Sequence, residues 1–345
     1  MERELIAYLR HRLPPHPRLR LGLGDDAAVL RMAEVEQCVF TVDMLMDQVD
    51  FRLPEADPRQ VGRKALAVNL SDLAAMASEP LAAVVALALP RRSGMELAVG
   101  LYEGMLPLAE EYDLAIAGGD TNSWDGPLVV SITLLGKVTP RGPLIRGGAR
   151  PGDWIVVTGS FGGSILGRHL TFQPRVREAL RLAELYDLHA GIDVSDGLSA
   201  DLAHLAEESG CGALVDLAAI PVSDDARRLA ELLADGSTAL DHALGDGEDF
   251  ELVLAAPAGE AQRMLAEQPL LERKEERLGP SEQRDSRHGT VQFEKRHGSE
   301  APAPALSGVP LTVIGQFVPE PGLWQTDACG RRTQLVPRGY EHEFH

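Results

Sequence analysis

Lys64 to Ala77, KALAVNLSDLAAMA, closes a longer run, PRQVGRKALAVNLSDLAAMA (58–77), that reads as one helix carrying a single carboxylate, Asp72, among small and apolar residues. On either side, short apolar runs alternate with longer amphipathic ones. CVFTVDML (38–45), AAVVALAL (82–89), LAIAGGD (114–120) and LVVSITLLGKV (128–138) read as strands, and MELAVGLYEGMLPLAEEY (95–112) as a second helix. Residues 1–139 therefore form an α/β or α+β domain.

The stretch TPRGPLIRGGARPGD (139–153) is rich in Gly, Pro and Arg and has no apolar periodicity, which marks a domain boundary. A second α/β domain, 140–345, follows. DWIVVTG (153–159) reads as a strand entering the Gly-rich turn GSFGGS (159–164), with helical stretches around RHL (168–170) and REALRLAELY (177–186). AGIDVSD (190–196), CGALVDLAAI (211–220), FELVLAAP (250–257) and LTVIGQFV (311–318) read as further strands, and GLSADLAHLAEESG (197–210) and DDARRLAELLADG (224–236) as helices. From 271 to 307 the chain turns polar and charged without periodicity, and most of it reads as a mobile surface insertion.

At 345 residues and 44% hydrophobic content the chain is long enough for two packed domains. Its N-terminus lacks the apolar core of a signal peptide, and its longest apolar run, 81–89, falls far short of a membrane span, so a cytoplasmic protein is expected. Cys38, Cys211 and Cys329 are too widely separated for a CxxC metal knuckle, which fits a reducing compartment. The net charge, 33 − 52 = −19, argues against nucleic acid or anionic lipid as partners. It also means that any phosphate site must be rich in divalent cations, because carboxylates and phosphates otherwise repel.

The aspartates recur in one kind of setting, beside small residues at strand ends or helix starts: Asp25 and Asp26 in GDDAAV, Asp43 in TVDML, Asp72 in NLSDLAAM, Asp120 in AGGDT, Asp193 and Asp196 in IDVSDGL. Singly, Asp72 and Asp196 read as helix caps and Asp120 as a turn residue. Together they suggest convergence on Mg2+, which takes hard oxygen ligands and is shared between carboxylates and substrate phosphates. The neighbouring glycines, Gly118 and Gly119 among them, would let backbone approach a phosphate closely.

Neither a P-loop nor protein-kinase signatures occur, and none of the four lysines, Lys64, Lys137, Lys274 and Lys295, lies in a phosphate-loop context. Positive charge at a phosphate must come from metal or arginine, for which Arg146 is a candidate alongside its reading as a solvated linker residue. GSFGGS is either an anion-binding turn or a plain connection. GDGEDFEL (245–252) packs Asp246, Glu248, Asp249 and Glu251 into one turn, a pattern that invites a cationic ligand or marks a solvated acidic turn. Tyr340, in the terminal GYEHEF, either stacks on a ligand or anchors the tail.

The ordered set GDDAAV, TVDML, KALAVNLSDLAAMA, GGDT, RGGARPGDWIVVTG, IDVSDGLSADL, GEDFEL and GYEHEF resembles the thiamine-monophosphate kinase family, within a superfamily that includes aminoimidazole ribonucleotide synthetase. The resemblance implies a two-domain α/β (α+β) fold of the aminoimidazole ribonucleotide synthetase type, with a C-terminal α/β domain and N-terminal domains paired in a homodimer as a β-barrel. It implies direct in-line transfer of the ATP γ-phosphate to thiamine monophosphate, with several Mg2+ ions. Carried to matched positions, it makes Asp26, Thr41, Val42 through its backbone, Asp43, Asp72, Asp120, Asp193 and Asp196 metal ligands, with Asp43, Asp72, Asp120 and Asp196 at the catalytic centre. Tyr102, Gly119, Asp120, Arg146 and Ser195 become ATP contacts, and Asp50, Glu248 and Tyr340 substrate contacts. One departure stands out: QVDF (48–51) places Asp50 where the family has a histidine, and an ionised aspartate donates no hydrogen bond to phosphate. The alternatives are another ATP-using enzyme of the superfamily with a different acceptor, or a silent Mg-nucleotide sensor. Selenophosphate synthetase is disfavoured by the lack of an N-terminal reactive Cys, and a hydrogenase-maturation protein because Cys329 is not C-terminal.

Overall fold

The computed structural model describes residues 8–9, 11–13, 16–21, 29–30, 37–53, 55–272, 308–326 and 331–340. GDDAAV up to Ala28, with Asp25 and Asp26, lies outside the described residues, as do 273–307 of the polar stretch, Cys329 and the tail beyond Tyr340.

The first half runs β1 (Leu19–Leu21), β2 (Val29–Leu30), β3 (Cys38–Met46), α1 (Pro58–Ala75), β4 (Ser78–Pro90), α2 (Gly94–Glu111), β5 (Ala115–Trp124) and β6 (Val129–Val138). β1 and β2 pair with each other, and the other four strands form a sheet in the order β3-β6-β4-β5, with β4 and β5 parallel and the remaining pairs antiparallel. α1 begins at a capping box: the Asp57 carboxylate accepts the Arg59 amide at 2.7 Å, the Gln60 side chain accepts the Asp57 amide, and Pro58 occupies the first turn. Asp72 is thus no helix cap; it lies in the last turns of α1. That helix is buried along most of its length and touches α2 so closely that a Cβ on Gly62 would lie 2.0 Å from the Leu101 carbonyl oxygen.

The second half adds β7 (Trp154–Thr158), α3 (Arg168–Thr171), α4 (Val176–Leu185), β8 (Ala190–Asp193), α5 (Leu198–Glu208), β9 (Gly212–Asp216), α6 (Asp224–Leu233), α7 (Ala239–Gly245), β10 (Leu252–Ala256), α8 (Ala258–Glu272), β11 (Leu311–Val318), β12 (Gly322–Thr326) and β13 (Arg332–Gln334). Its mixed sheet has the order β13-β12-β9-β11-β7-β10-β8, with only β12 and β9 parallel. The strand expected over 190–196 stops at Asp193, because Gly197 at φ 134° turns the chain into α5. The strand expected over 211–220 stops at Asp216, whose carboxylate accepts the Ala218 amide and starts a short 3-10 turn. α7, α8, β12 and β13 had no counterpart in the sequence reading.

Side chains of the larger sheet alternate between two cores. Ile155, Val157, Val253 and Ala255 pack under Leu202 and Leu205 of α5. Val156, Leu252 and Leu254 face the other way and join Leu66 and Leu70 of α1, Ile132 and Leu134 in a single core that crosses from one half of the chain to the other. α1 therefore belongs to both halves. Among the described residues no helix is long and apolar enough to cross a membrane.

Candidate active site

Three carboxylates, those of Asp43, Asp72 and Asp193, lie near one another where that shared helix touches both sheets. On β3 the side chains of Thr41 and Asp43 turn to the face that carries buried Val39 and Leu45. The Thr41 hydroxyl donates to the Asp72 carboxylate on α1, and the Asp43 carboxyl faces that of Asp72. Asp193, at the end of β8, accepts from the Ser71 hydroxyl at 2.6 Å. Burial first, then the charge of Asp193, pushes Asp43 up to about 6. Burial and then Asp43 push Asp72 up to about 6, and burial and then Asp72 push Asp193 up to about 7. Arg146, in the linker, is near enough for its charge to pull both Asp72 and Asp193 downward.

Mutually repelling carboxylates of this kind favour a cation. The Oδ2 atom of Asp43 is buried, and among the described residues no donor reaches it. Hard, anionic oxygens fit Mg2+. Among the described residues no three acidic, His or Cys side chains close on a single point, so an ion here would need further oxygens, as Mg2+ does when it is shared with substrate phosphates.

A cavity of about 310 Å³ opens from the cluster, with Asp43, Ser195, Asp196, Glu248, Phe250 and Tyr340 in its wall. The loop carrying Ser195 and Asp196 is shaped by Asp201, which accepts the amides of Asp196 and Gly197 at 3.0 and 3.1 Å. The Tyr340 amide donates to the Asp196 carbonyl at 3.0 Å, so the tail folds over this loop and sets its ring at the cavity. Asp50 and Glu248 also wall a neighbouring cavity of about 520 Å³, with Val49, Ile165 and His169. Asp50 spends one carboxylate oxygen on its own turn, accepting the Met46 amide at 2.7 Å.

The acidic run 245–252 is not held by a cationic ligand alone, because the protein supplies each carboxylate with a basic partner. Asp246 faces His242, Glu248 faces Lys64, Asp249 faces Arg168, and Glu251 makes a two-pronged pair with Arg175 at 2.7 and 2.6 Å. The GSFGGS turn is no open anion site either: its Gly162 and Gly163 amides donate to Asp249 and Asp246. Glu248 and Phe250 both hold positive φ, at 52° and 50°, a strained backbone at the cavity wall.

Other expected site residues lie apart within one chain. Gly119 and Asp120 are on β5, the opposite edge of the sheet from β3, in the row Asp43, Ile132, Val85, Gly119, roughly 14 Å from Asp43 across three strand spacings. A Cβ on Gly119 would lie 1.9 Å from the Val85 carbonyl oxygen, so strand packing alone demands this glycine. Asp120 is exposed beside it. Tyr102 is 3% exposed in the core and lines neither cavity, its hydroxyl pushed up to about 12 by burial. Sequence reading missed Lys64, Ser71, His169 and Asp201. The spacing of Lys64, Val68 and Asp72 at four-residue steps carried a signal, since it sets all three on one helix stripe.

Residues 24–138 match the AIR synthase related protein, N-terminal domain, and residues 150–273 the C-terminal domain of the same proteins. A thiamine-monophosphate kinase of Rhodopirellula baltica is 39% identical over 350 residues, covering 99% of this chain and 97% of its own. That of Escherichia coli K12 is 38% identical over 69% of this chain and 77% of its own. The crystal structure of thiamine-monophosphate kinase from Stenotrophomonas maltophilia K279a, 32% identical, superposes with a TM-score of 0.72 over 93% of this chain and 95% of that one. A hydrogenase maturation protein HypE in complex with ATP, 20% identical with a TM-score of 0.71 over 99% and 95% of the two chains, shares the fold. With relatives this similar along nearly its whole length, the chain belongs to the thiamine-monophosphate kinase family of AIR synthase related proteins.

Proposed function

We propose that this chain phosphorylates thiamine monophosphate with ATP, giving thiamine diphosphate and ADP, at the cavity between Asp43 and Tyr340. The carrying observation is the continuity of the Asp43–Asp72–Asp193 cluster with a cavity walled by Glu248 and Tyr340. A phosphate oxygen of the acceptor attacks the γ-phosphorus in line, the bond to the β-phosphate oxygen breaks, and ADP leaves. Positioning and charge neutralisation account for most of such a transfer.

Asp43, Asp72, Asp193 and Asp196, with Thr41, the Val42 carbonyl and Asp26 of the preceding segment, are the groups that would hold Mg2+. Bound Mg2+ supplies the charge neutralisation that lets polyphosphate enter a carboxylate-rich site. Arg146 and Ser195 face the nucleotide phosphates, and Glu248 and Tyr340 the ring system of the acceptor. Asp50 holds its turn through the Met46 amide, a role that does not require a histidine's donor.

Two copies complete the enzyme. The outer face of the four-stranded sheet carries Phe40, Val42, Met44 and Val84, 70%, 62%, 60% and 43% exposed, along one edge and into the middle. An apolar sheet face of that extent fits a second copy of the same face, closing two sheets into a barrel. Gly119 and Asp120 lie at the other edge of this sheet and would meet nucleotide at the interface. The division at 139/140 separates this dimerising part from the part that supplies Asp193, Asp196 and Glu248.

The test incubates purified protein with ATP, Mg2+ and thiamine monophosphate and separates the products by chromatography. Equal yields of thiamine diphosphate and ADP are expected; ATP binding without thiamine diphosphate would move the reading to another acceptor, or to a nucleotide sensor.

A further inference from the structure

Lys64 has no exposed surface, and nothing in the transfer step uses its charge. Its ammonium donates to the Asp50 carbonyl at 2.8 Å and to one carboxylate oxygen of Glu248. Those two partners come from different halves of the chain and stand in the wall shared by the two cavities. A buried lysine is costly unless paired, so this arrangement persists only if both partners stay in place.

Glu248 is constrained from two sides. Its backbone sits at φ 52° with its amide donating to the Ser195 carbonyl at 2.7 Å, and its side chain is tied to Lys64. Its side chain is 33% exposed, so the carboxylate keeps access to the cavity while its pairing with Lys64 balances its charge. A wall so balanced favours a ligand that donates an N–H over one that offers positive charge alone. The same helix stripe carries Val68 in the cavity wall and Asp72 in the carboxylate cluster, eight residues and roughly 12 Å along α1 from Lys64.

We propose that Lys64 is a positioning residue for the acceptor: by anchoring Glu248 to the Asp50 turn it fixes where Glu248 holds the acceptor's ring system relative to the phosphoryl-transfer centre at Asp72. This rests on the kinase reading. Glu248 touches the acceptor; Lys64 acts only through it.

Steady-state kinetics of wild type, Lys64→Met, Glu248→Ala and the double variant, with each substrate varied separately, tests the assignment. Lys64→Met is expected to raise KM for thiamine monophosphate about tenfold or more, with KM for ATP and kcat changed by less than about threefold. Added to Glu248→Ala it should raise that KM no more than about twofold further, because the group it positions is already gone. A parallel loss for both substrates, or full multiplication of the two effects, overturns the proposal. Should Lys64→Met fail to fold, the double variant, which leaves no carboxylate without its partner, is compared with Glu248→Ala alone and read by the same criterion. Wild type that makes no thiamine diphosphate in the same assay overturns the kinase reading itself, whereas active wild type with unmoved variants overturns only the role of Lys64.

Discussion

The Ser71 hydroxyl donates to Asp193 Oδ2 at 2.6 Å, and through this bond α1 of the first half is fastened to β8 of the second at the carboxylate cluster. Ser71 is fully buried and Asp193 is 4% exposed, so the bond is shielded from bulk solvent. Two sheets that share a core are thereby held in register at the place where chemistry is expected.

Ser71→Ala removes that donor and leaves a buried carboxylate less well satisfied. Stability is expected to fall by about 2 kcal/mol, the usual scale for a buried hydrogen bond to a charged group. Urea denaturation of the metal-free protein measures it; a midpoint unchanged from wild type would show that the bond contributes little.

The cluster also sets a pH dependence. Asp43, Asp72 and Asp193 are raised from the ordinary carboxyl value of 3.8 to about 6, 6 and 7, so between pH 4 and 7 the folded state binds more protons than the unfolded one. Their contribution to stability is largest below pH 4 and is lost as pH rises through 6 and 7. Metal-free protein should therefore melt at a lower temperature at pH 8 than at pH 5.5. Mg2+, which competes with those protons, should raise the melting temperature more at pH 8 than at pH 5.5. An equal shift at both pH values would argue against these carboxylates as the Mg2+ ligands.

Asp72→Asn tests the same centre by rate. The amide keeps the size and the hydrogen-bond acceptor for Thr41 but loses the anionic ligand, so turnover should drop by about 100-fold or more while the fold persists. Circular dichroism confirms the fold and thiamine diphosphate formation gives the rate. Near-normal turnover at saturating Mg2+ would remove Asp72 from the centre.

The parts of this site legible in the sequence were those carried by local pattern. Asp43 on an alternating strand, Asp72 on a helix and Asp193 at a strand end were each visible beside small residues, and their convergence followed from repetition of that setting. What escaped was long-range pairing. The carboxylates of 245–252 read as inviting a cationic ligand or marking a solvated turn because the partners Lys64, Arg168 and Arg175 lie 184, 81 and 76 positions away, and no spacing rule reaches that far. Strand ends were missed for a related reason: Asp193 and Asp216 end their strands through a glycine turn and a side-chain bond to backbone, while the apolar pattern runs on. Gly119 shows the converse case: a glycine expected for phosphate contact is also required by the Val85 carbonyl, so its presence alone does not mark a ligand.

The outer sheet face gives the last prediction. Phe40 is 70% exposed on β3, directly across from Leu135 on β6, and its neighbours on that face are Val42 and Met44. Phe40→Asp changes nothing in the monomer's core, because the side chain points away from it. If the face meets a second copy, the substitution places two charges in one symmetric contact, and each must be desolvated opposite its twin. Sedimentation at micromolar concentration should then show a dimer for wild type and a monomer for Phe40→Asp, with unchanged circular dichroism. Turnover should fall along with dimer content, because Gly119 and Asp120, about three strand spacings from Asp43 within one chain, would under the proposed function reach nucleotide only at such an interface. A monomeric variant with full activity would leave the dimer without a part in the reaction, and a monomeric wild type would remove the second copy altogether.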